Sequence, residues 1–122
     1  MSSSVAEAYT ATEVAGDSVQ FGSIAIDRVA YSVTVAGSPV ALTARELNLL
    51  VYLSGRTGRL LTRQELVREV WGPGYDGGSR TVDIHVSRLR RKLGQELPLV
   101  TLRRVGYRLD APSTKPNEGT YE

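Results

Sequence analysis

Residues 79–94, SRTVDIHVSRLRRKLG, decide the fold because they form one amphipathic helical pattern with two opposite faces. At about 100° per residue, four apolar side chains fall on one narrow stripe suited to burial against a core. These are Val82, Val86, Leu89 and Leu93. The opposite face carries Thr81, Ile84, His85, Arg88, Arg91 and Lys92. Ser79 is predicted to cap the start of the helix, and Gly94 to end it.

The outer face of this helix combines apolar and hydrogen-bonding side chains. Ile84 lies among Thr81 and Arg88, which favours a partner that offers apolar groups and acceptors together. The major groove of DNA presents thymine methyl groups, guanine acceptors and phosphates. On the helix alone, a solvated basic surface remains an equal alternative.

The distribution of charge favours the DNA interpretation. Residues 79–108 hold eight Arg or Lys side chains and two carboxylates, a local net charge of +6 within a chain whose net charge is only +2. Such a basic segment suits a polyanion bound at one surface. Thirteen of the fifteen basic residues are Arg, whose planar guanidinium can pair bidentately with guanine or phosphate.

The bulk composition predicts one small globular domain. The chain has 122 residues, is 41% hydrophobic and 23% charged, and contains no cysteine. We predict a disordered tail over 1–17, a domain over 18–110 and a second tail over 111–122. No apolar run is long enough to cross a bilayer, and the first residues do not resemble a secretory signal. A cytoplasmic, nucleoid-associated protein without disulfides is expected.

Catalysis is not predicted, because no set of reactive residues can converge. His85 is the sole histidine, and on a helix it points about 200° away from Asp83, whereas Asp83 and Ser87 share a face. The sequence contains no glycine-rich phosphate loop and no ligand set with metal-binding spacing. We therefore predict no enzyme activity, no cofactor and no metal site.

The segment before the first helix predicts a small antiparallel sheet. Residues 19–26 alternate loosely and indicate one strand, and residues 31–35 alternate cleanly and indicate a second. Residues 37–39, Gly-Ser-Pro, are typical of a turn. Residues 40–42 would then form a short third strand.

Two further helices are predicted between this sheet and the amphipathic helix. Residues 43–46, TARE, and 62–65, TRQE, each match a capping box that starts a helix. Residues 72–79, GPGYDGGS, hold four glycines and a proline, and predict a loop. Residues 99–109 indicate two short strands joined by a tight turn. The order is therefore sheet, helix, helix, loop, helix, hairpin.

Four segments of the chain resemble, in order and spacing, the winged-helix DNA-binding domain of OmpR/PhoB-type response regulators. They are LTARELNLLVYL, LLTRQELVREVWG, RTVDIHVSRLRRKLG and VTLRRVGYRL, and the resemblance covers about residues 20–109. It implies an α+β winged helix-turn-helix fold with a four-stranded N-terminal sheet, three helices and a C-terminal β-hairpin, the wing. It also implies a bacterial transcriptional regulator that binds double-stranded DNA sequence-specifically, with recognition helix 79–93 in the major groove and wing 99–109 at the minor groove.

The resemblance and the helical pattern together predict individual contacts. Base contacts are predicted for Thr81, Ile84 and Arg88. Phosphate contacts are predicted for Arg80, His85, Arg90, Arg91, Thr101, Arg104 and Tyr107, although Tyr107 could instead belong to the core. Arg103 is predicted to enter the minor groove. The resemblance further assigns the loop residues Gly74, Tyr75 and Asp76 to contact with RNA polymerase.

This sequence departs from the family pattern in three places. The 122 residues include no receiver domain, so we expect a monomer in solution, with tandem head-to-tail copies on repeated half-sites. Ser87 replaces a commonly basic residue. Arg104 replaces a glycine of the wing turn, and should widen the turn or bear strain. Two alternatives remain: a winged-helix module that binds RNA polymerase or another regulator, and a low-specificity, chromosome-organising DNA binder.

Overall fold

Two antiparallel sheets and three helices make up residues 18–111, the part of the chain that the computed structural model describes. This is the predicted α+β architecture. The predicted tails lie outside the described residues, apart from Ala111, so their disorder stays a prediction.

The N-terminal sheet has four strands in sequence order, one more than the residue pattern alone predicts. They are β1 (Ser18–Phe21), β2 (Ile24–Asp27), β3 (Ser32–Val35) and β4 (Ser38–Pro39). The single strand predicted over 19–26 is wrong, because Gly22 turns the chain with φ +60° and folds this stretch into a hairpin.

The last hairpin of this sheet also corrects the sequence prediction. The turn predicted over 37–39 lies one residue earlier, at Ala36 and Gly37, which have φ values of 53° and 84°. Two consecutive positive φ angles are typical of the tight turns that join neighbouring strands. The chain therefore returns sooner than expected, and β4 is Ser38–Pro39 rather than residues 40–42.

The first two helices begin as predicted and differ in how they are capped. In α1 (Ala44–Ser54), Thr43 and Glu46 form the complete capping box. In α2 (Arg63–Leu66), which continues as a π-helical turn (Val67–Trp71), Thr62 accepts a hydrogen bond from the backbone of Glu65. The reciprocal half is missing, because the Glu65 carboxylate instead accepts from the Tyr52 hydroxyl at 3.0 Å.

The third helix, α3 (Arg80–Leu93), has the predicted orientation. Its apolar stripe, Val82, Val86, Leu89 and Leu93, is buried in the core. Gly94 ends the helix with φ +84°. Ser79 occupies the cap position but has an α-helical backbone and makes no side-chain capping bond, so that prediction is wrong.

The second sheet joins the wing to a strand far away in the sequence. β5 (Leu61–Thr62) pairs with β7 (Gly106–Leu109), which also pairs with β6 (Leu99–Leu102). A Cβ on Gly106 would lie 2.0 Å from the Leu61 carbonyl oxygen, so β5 and β7 can approach only because this residue is glycine. This pairing places the wing against the start of α2.

Candidate nucleic-acid interface

The outward face of α3 carries exposed side chains, and its opposite face carries the buried apolar stripe. Arg80, Arg88 and Arg91 are exposed, and Ile84 between them retains 45% of its accessible surface. Thr81, predicted to be exposed, is half-buried. The surface thus combines guanidinium donors with one apolar contact, as predicted.

His85 has its ring fixed by two neighbours. Its Nδ1 lies 2.8 Å from the Thr81 carbonyl oxygen, and its ring meets Trp71 edge-on at 5.0 Å between centroids. Because a carbonyl can only accept, Nδ1 carries the proton of this bond. Nε2 is then an acceptor in the neutral ring and a donor only in the imidazolium, so a phosphate contact requires protonated His85.

Arg90 connects α3 to the wing. Its Nη2 donates to the Leu99 carbonyl oxygen at 2.7 Å and to the Thr101 hydroxyl at 2.8 Å. Phosphate contacts were predicted for the side chains of Arg90 and Thr101. In the free domain they hold each other, so part of the donor capacity of Arg90 is used within the protein.

Asp83 joins three elements that sequence reasoning did not connect. Its Oδ1 accepts from the Tyr107 hydroxyl at 2.5 Å and from Arg63 Nε at 2.7 Å. Burial raises the pKa of Asp83, but the hydrogen bonds from Tyr107 and Arg63 outweigh it and hold the pKa below its ordinary value. The first turn of α3 is thereby tied to the start of α2 and to β7.

Tyr107 takes the second of the two roles considered for it, a place in the core. Only 4% of its surface is exposed, and its hydroxyl donates a hydrogen bond to Asp83. Burial, followed by the bond to Asp83, raises its pKa. A core position without a free donor replaces the predicted phosphate contact.

The wing turn holds an arginine in a backbone conformation that favours glycine. Val105 N–H donates to the Leu102 carbonyl oxygen at 2.9 Å and closes the turn. Arg104, inside it, has φ +67°, the left-handed region that favours glycine. The expected strain is therefore present, and the side chains of Arg103 and Arg104 are both exposed.

The loop before α3 is exposed at Gly74, Tyr75 and Asp76. The Tyr75 ring lies 6.2 Å from the Trp71 ring, between centroids. The loop thus offers an aromatic side chain beside the recognition helix.

Lys92 is exposed, as predicted, but it has a partner that the sequence did not indicate. Its Nζ donates at 2.7 Å to Oε1 of Glu46, a residue of α1 with no exposed surface. Periodicity places Lys92 on the correct side of α3 but carries no information about a partner in a different helix.

None of the helices within 18–111 is long and apolar enough to span a membrane. Nor do three His, Asp or Glu side chains of this part of the chain come together as metal ligands.

A helix-turn-helix whose last helix exposes arginines and isoleucine, followed by a basic hairpin on a small sheet, defines a winged helix-turn-helix domain. The chain belongs to the family described as "Transcriptional regulatory protein, C terminal", which matches residues 37–109, more than half of its length. The OmpR/PhoB-type effector domain predicted from the four segments is thereby confirmed.

Individual proteins similar to this chain include a transcriptional regulator and solved DNA-binding domains. The transcriptional regulatory protein AfsQ1 of Streptomyces coelicolor is 50% identical over 101 residues, which is 79% of this chain and 44% of that protein. The RstA DNA-binding domain of Klebsiella pneumoniae, solved in complex with the RstA box, superposes with a TM-score of 0.65 at 32% identity, covering 76% of this chain and 96% of that one. The DNA-binding domain of CpxR from E. coli gives a TM-score of 0.67 at 27% identity, covering 79% and 98%. This chain spans less than half the length of AfsQ1.

Proposed function

We propose that this domain binds double-stranded DNA sequence-specifically and regulates bacterial transcription from the cytoplasm, at the nucleoid. The observation that carries the proposal is the outer face of α3, where exposed Ile84 lies among exposed arginines above a fully buried stripe. Family membership and the RstA box complex support the same function.

The chemistry of the outer face suits base reading. Arg88 is long enough to donate two hydrogen bonds to one guanine, a contact worth about 1–3 kcal/mol of discrimination. Ile84 would meet a thymine methyl group, and half-buried Thr81 would reach a base edge only at the helix start. Arg80 and Arg91 would position the helix through phosphates.

The wing would add a second contact. Arg103 would enter the minor groove, where a narrow A·T-rich segment attracts a guanidinium. Arg104, the next residue in the turn, would instead reach a flanking phosphate. Protonated His85 would contribute a phosphate contact on the α3 side.

Assembly and partners follow from the same surface. A monomer in solution would line up head-to-tail on half-sites about one helical turn apart. The exposed loop at Gly74, Tyr75 and Asp76 would face RNA polymerase bound beside the site.

The deciding experiment is selection of binding sites from random duplexes, followed by titration of selected and random DNA at rising salt. Specific binding persists at salt that removes non-specific binding. Equal affinity for both duplexes would indicate a chromosome-organising binder. No binding to either would leave the protein-interaction alternative.

A matched pair of variants on α3 distinguishes contacts with bases from contacts with phosphates. Arg88→Ala should weaken the selected site by about 1–3 kcal/mol and relax the preference at one base pair. Arg91→Ala removes an exposed arginine of the same helix and should weaken all duplexes alike, lowering the salt slope by about 1. If Arg88→Ala keeps the full sequence preference, direct reading by this side chain is wrong.

A further inference from the structure

The recognition helix carries one exposed cation, Lys92, that is paired with a buried carboxylate. Lys92 lies one turn after Arg88, on the side of α3 that carries the base-reading residues. Its Nζ is nevertheless held at 2.7 Å by Glu46 Oε1, and 30% of its side chain stays exposed. The ammonium is therefore restrained but can reach solvent.

Glu46 is a charged group in an unusual place. It has no exposed surface, and its Oε2 has no hydrogen-bond partner among the described residues. Burial raises its pKa, but hydrogen bonds from Lys92 and the Thr43 backbone, with the charges of Lys92 and Arg88, bring it below the ordinary value. The group is thus an anion directly behind the cations of α3.

Capping does not require a negative charge at residue 46. The capping box requires only an acceptor at residue 46, and glutamine serves there as well as glutamate. Buried ion pairs are often no more stabilising than well-packed apolar residues, because both charges lose their hydration. The negative charge acts on Lys92 through the ion pair and on Arg88 through the field of the carboxylate.

We propose that Glu46 limits the sequence-independent part of DNA affinity by holding Lys92 away from the phosphate backbone. Non-specific affinity grows with each phosphate that a cation neutralises. A cation engaged by a buried carboxylate releases no counterion from DNA, so the domain spends less time on random sequence. This inference rests on the proposed DNA binding and concerns the number of phosphate contacts rather than base reading.

The test measures how the affinity of the full chain for random and selected duplexes depends on salt concentration. Binding is followed by fluorescence anisotropy between about 50 and 200 mM salt. Glu46→Gln keeps the capping box and removes the charge. We expect a salt slope steeper by about 0.9, which changes the affinity ratio between these two salt concentrations about 3.5-fold. The gain at low salt should be equal on both duplexes, as for any phosphate contact.

Three further variants make the test specific. Lys92→Gln should leave the slope as in the unchanged protein, whereas an ordinary phosphate-binding lysine would lower it by about 0.9. Glu46→Gln combined with Lys92→Gln should abolish the gain. Glu69→Gln makes the same change in net charge at an exposed residue paired with Arg68, and should not steepen the slope.

Several outcomes overturn the proposal. They are an unchanged slope in folded Glu46→Gln, a gain confined to one duplex, the same gain in Glu69→Gln, or a slope lowered by Lys92→Gln. Far-UV circular dichroism verifies folding of each variant, and the double variant, which leaves no buried charge unpaired, decides if a single variant is unfolded. If the unchanged protein binds no DNA, the proposed function itself fails, which is a different result from unchanged slopes.

Discussion

The hydrogen bond between Tyr107 and Asp83 predicts an asymmetry between two truncations. The Tyr107 hydroxyl lies on a ring that is 4% exposed, whereas the Asp83 side chain is 40% exposed. Removing the acceptor therefore leaves a buried donor unpaired, which costs about 1–3 kcal/mol. Removing the donor leaves a carboxylate that keeps Arg63 and gains water, so the loss is only the net bond, about 0.5–1.5 kcal/mol.

These values translate into measurable changes in thermal stability. For a domain of this size about 1 kcal/mol corresponds to 4–8 °C. Tyr107→Phe should thus lower Tm by about 4–8 °C and Asp83→Ala by about 8–16 °C. The double variant should lose about 1 kcal/mol less than the sum of the two, because both remove one bond.

Asp83→Asn is the matched control, since it keeps an acceptor oxygen for Tyr107 and removes only the charge. The partly exposed pair with Arg63 contributes about 0–1 kcal/mol, so Asp83→Asn should be milder than Asp83→Ala. Thermal and urea unfolding followed by circular dichroism measure all four variants. The reasoning is refuted if Tyr107→Phe is as damaging as Asp83→Ala, or if the two losses simply add.

Four other results are expected. Arg104→Gly should leave the free domain as stable or up to about 1 kcal/mol more stable, by relief of the left-handed backbone, while lowering affinity equally for all duplexes in anisotropy titrations. Arg103→Ala should lose affinity mainly on sites with A·T-rich flanks, and equal losses on G·C-rich flanks would exclude insertion into the minor groove. The pKa of Asp83 is lowered in the folded domain, so the ionised carboxylate stabilises the fold fully above about pH 5. This stabilisation is lost as pH falls through the folded pKa. Below about pH 4 the Tm of the unchanged protein should therefore fall more steeply with pH than that of Asp83→Asn. Gly106→Ala should disrupt the pairing of β5 with β7 and lower Tm, because a Cβ here collides with the Leu61 backbone. A Tm within about 2 °C of that of the unchanged protein would contradict this close approach.

Sequence alone predicted those features that depend on neighbouring residues. The α3 stripe from Val82 to Leu93 follows from helical periodicity, and the Thr43 cap from local hydrogen bonding. The hairpin over 99–109 follows from alternation around a turn. In each case the deciding residues lie within a few positions of one another.

Several of the missed features depend on contacts between distant segments, whereas the turns at Gly22 and at Ala36 and the absent cap at Ser79 are local errors. Asp83 meets Tyr107, and Lys92 meets Glu46, through packing that no periodic pattern encodes. The two-residue strand Leu61–Thr62 exists only because β7 lies beside it. For the same reason the sequence left Tyr107 open between a DNA contact and the core, whereas its burial follows from the tertiary fold.

The order of strands in the two sheets has a consequence for how the molecule comes into being. β1 to β4 pair with sequence neighbours, so each turn closes a short loop at small entropic cost. The second sheet must instead bring Leu61 to Tyr107 across the whole helix-turn-helix segment, and such distant pairings form slowly. On the ribosome, the N-terminal sheet can therefore assemble while the later helices are still being made. The wing forms only after β7 has emerged and inserted between its two partners, so an incomplete polypeptide ending before Gly106 lacks the hairpin for the proposed minor-groove contact.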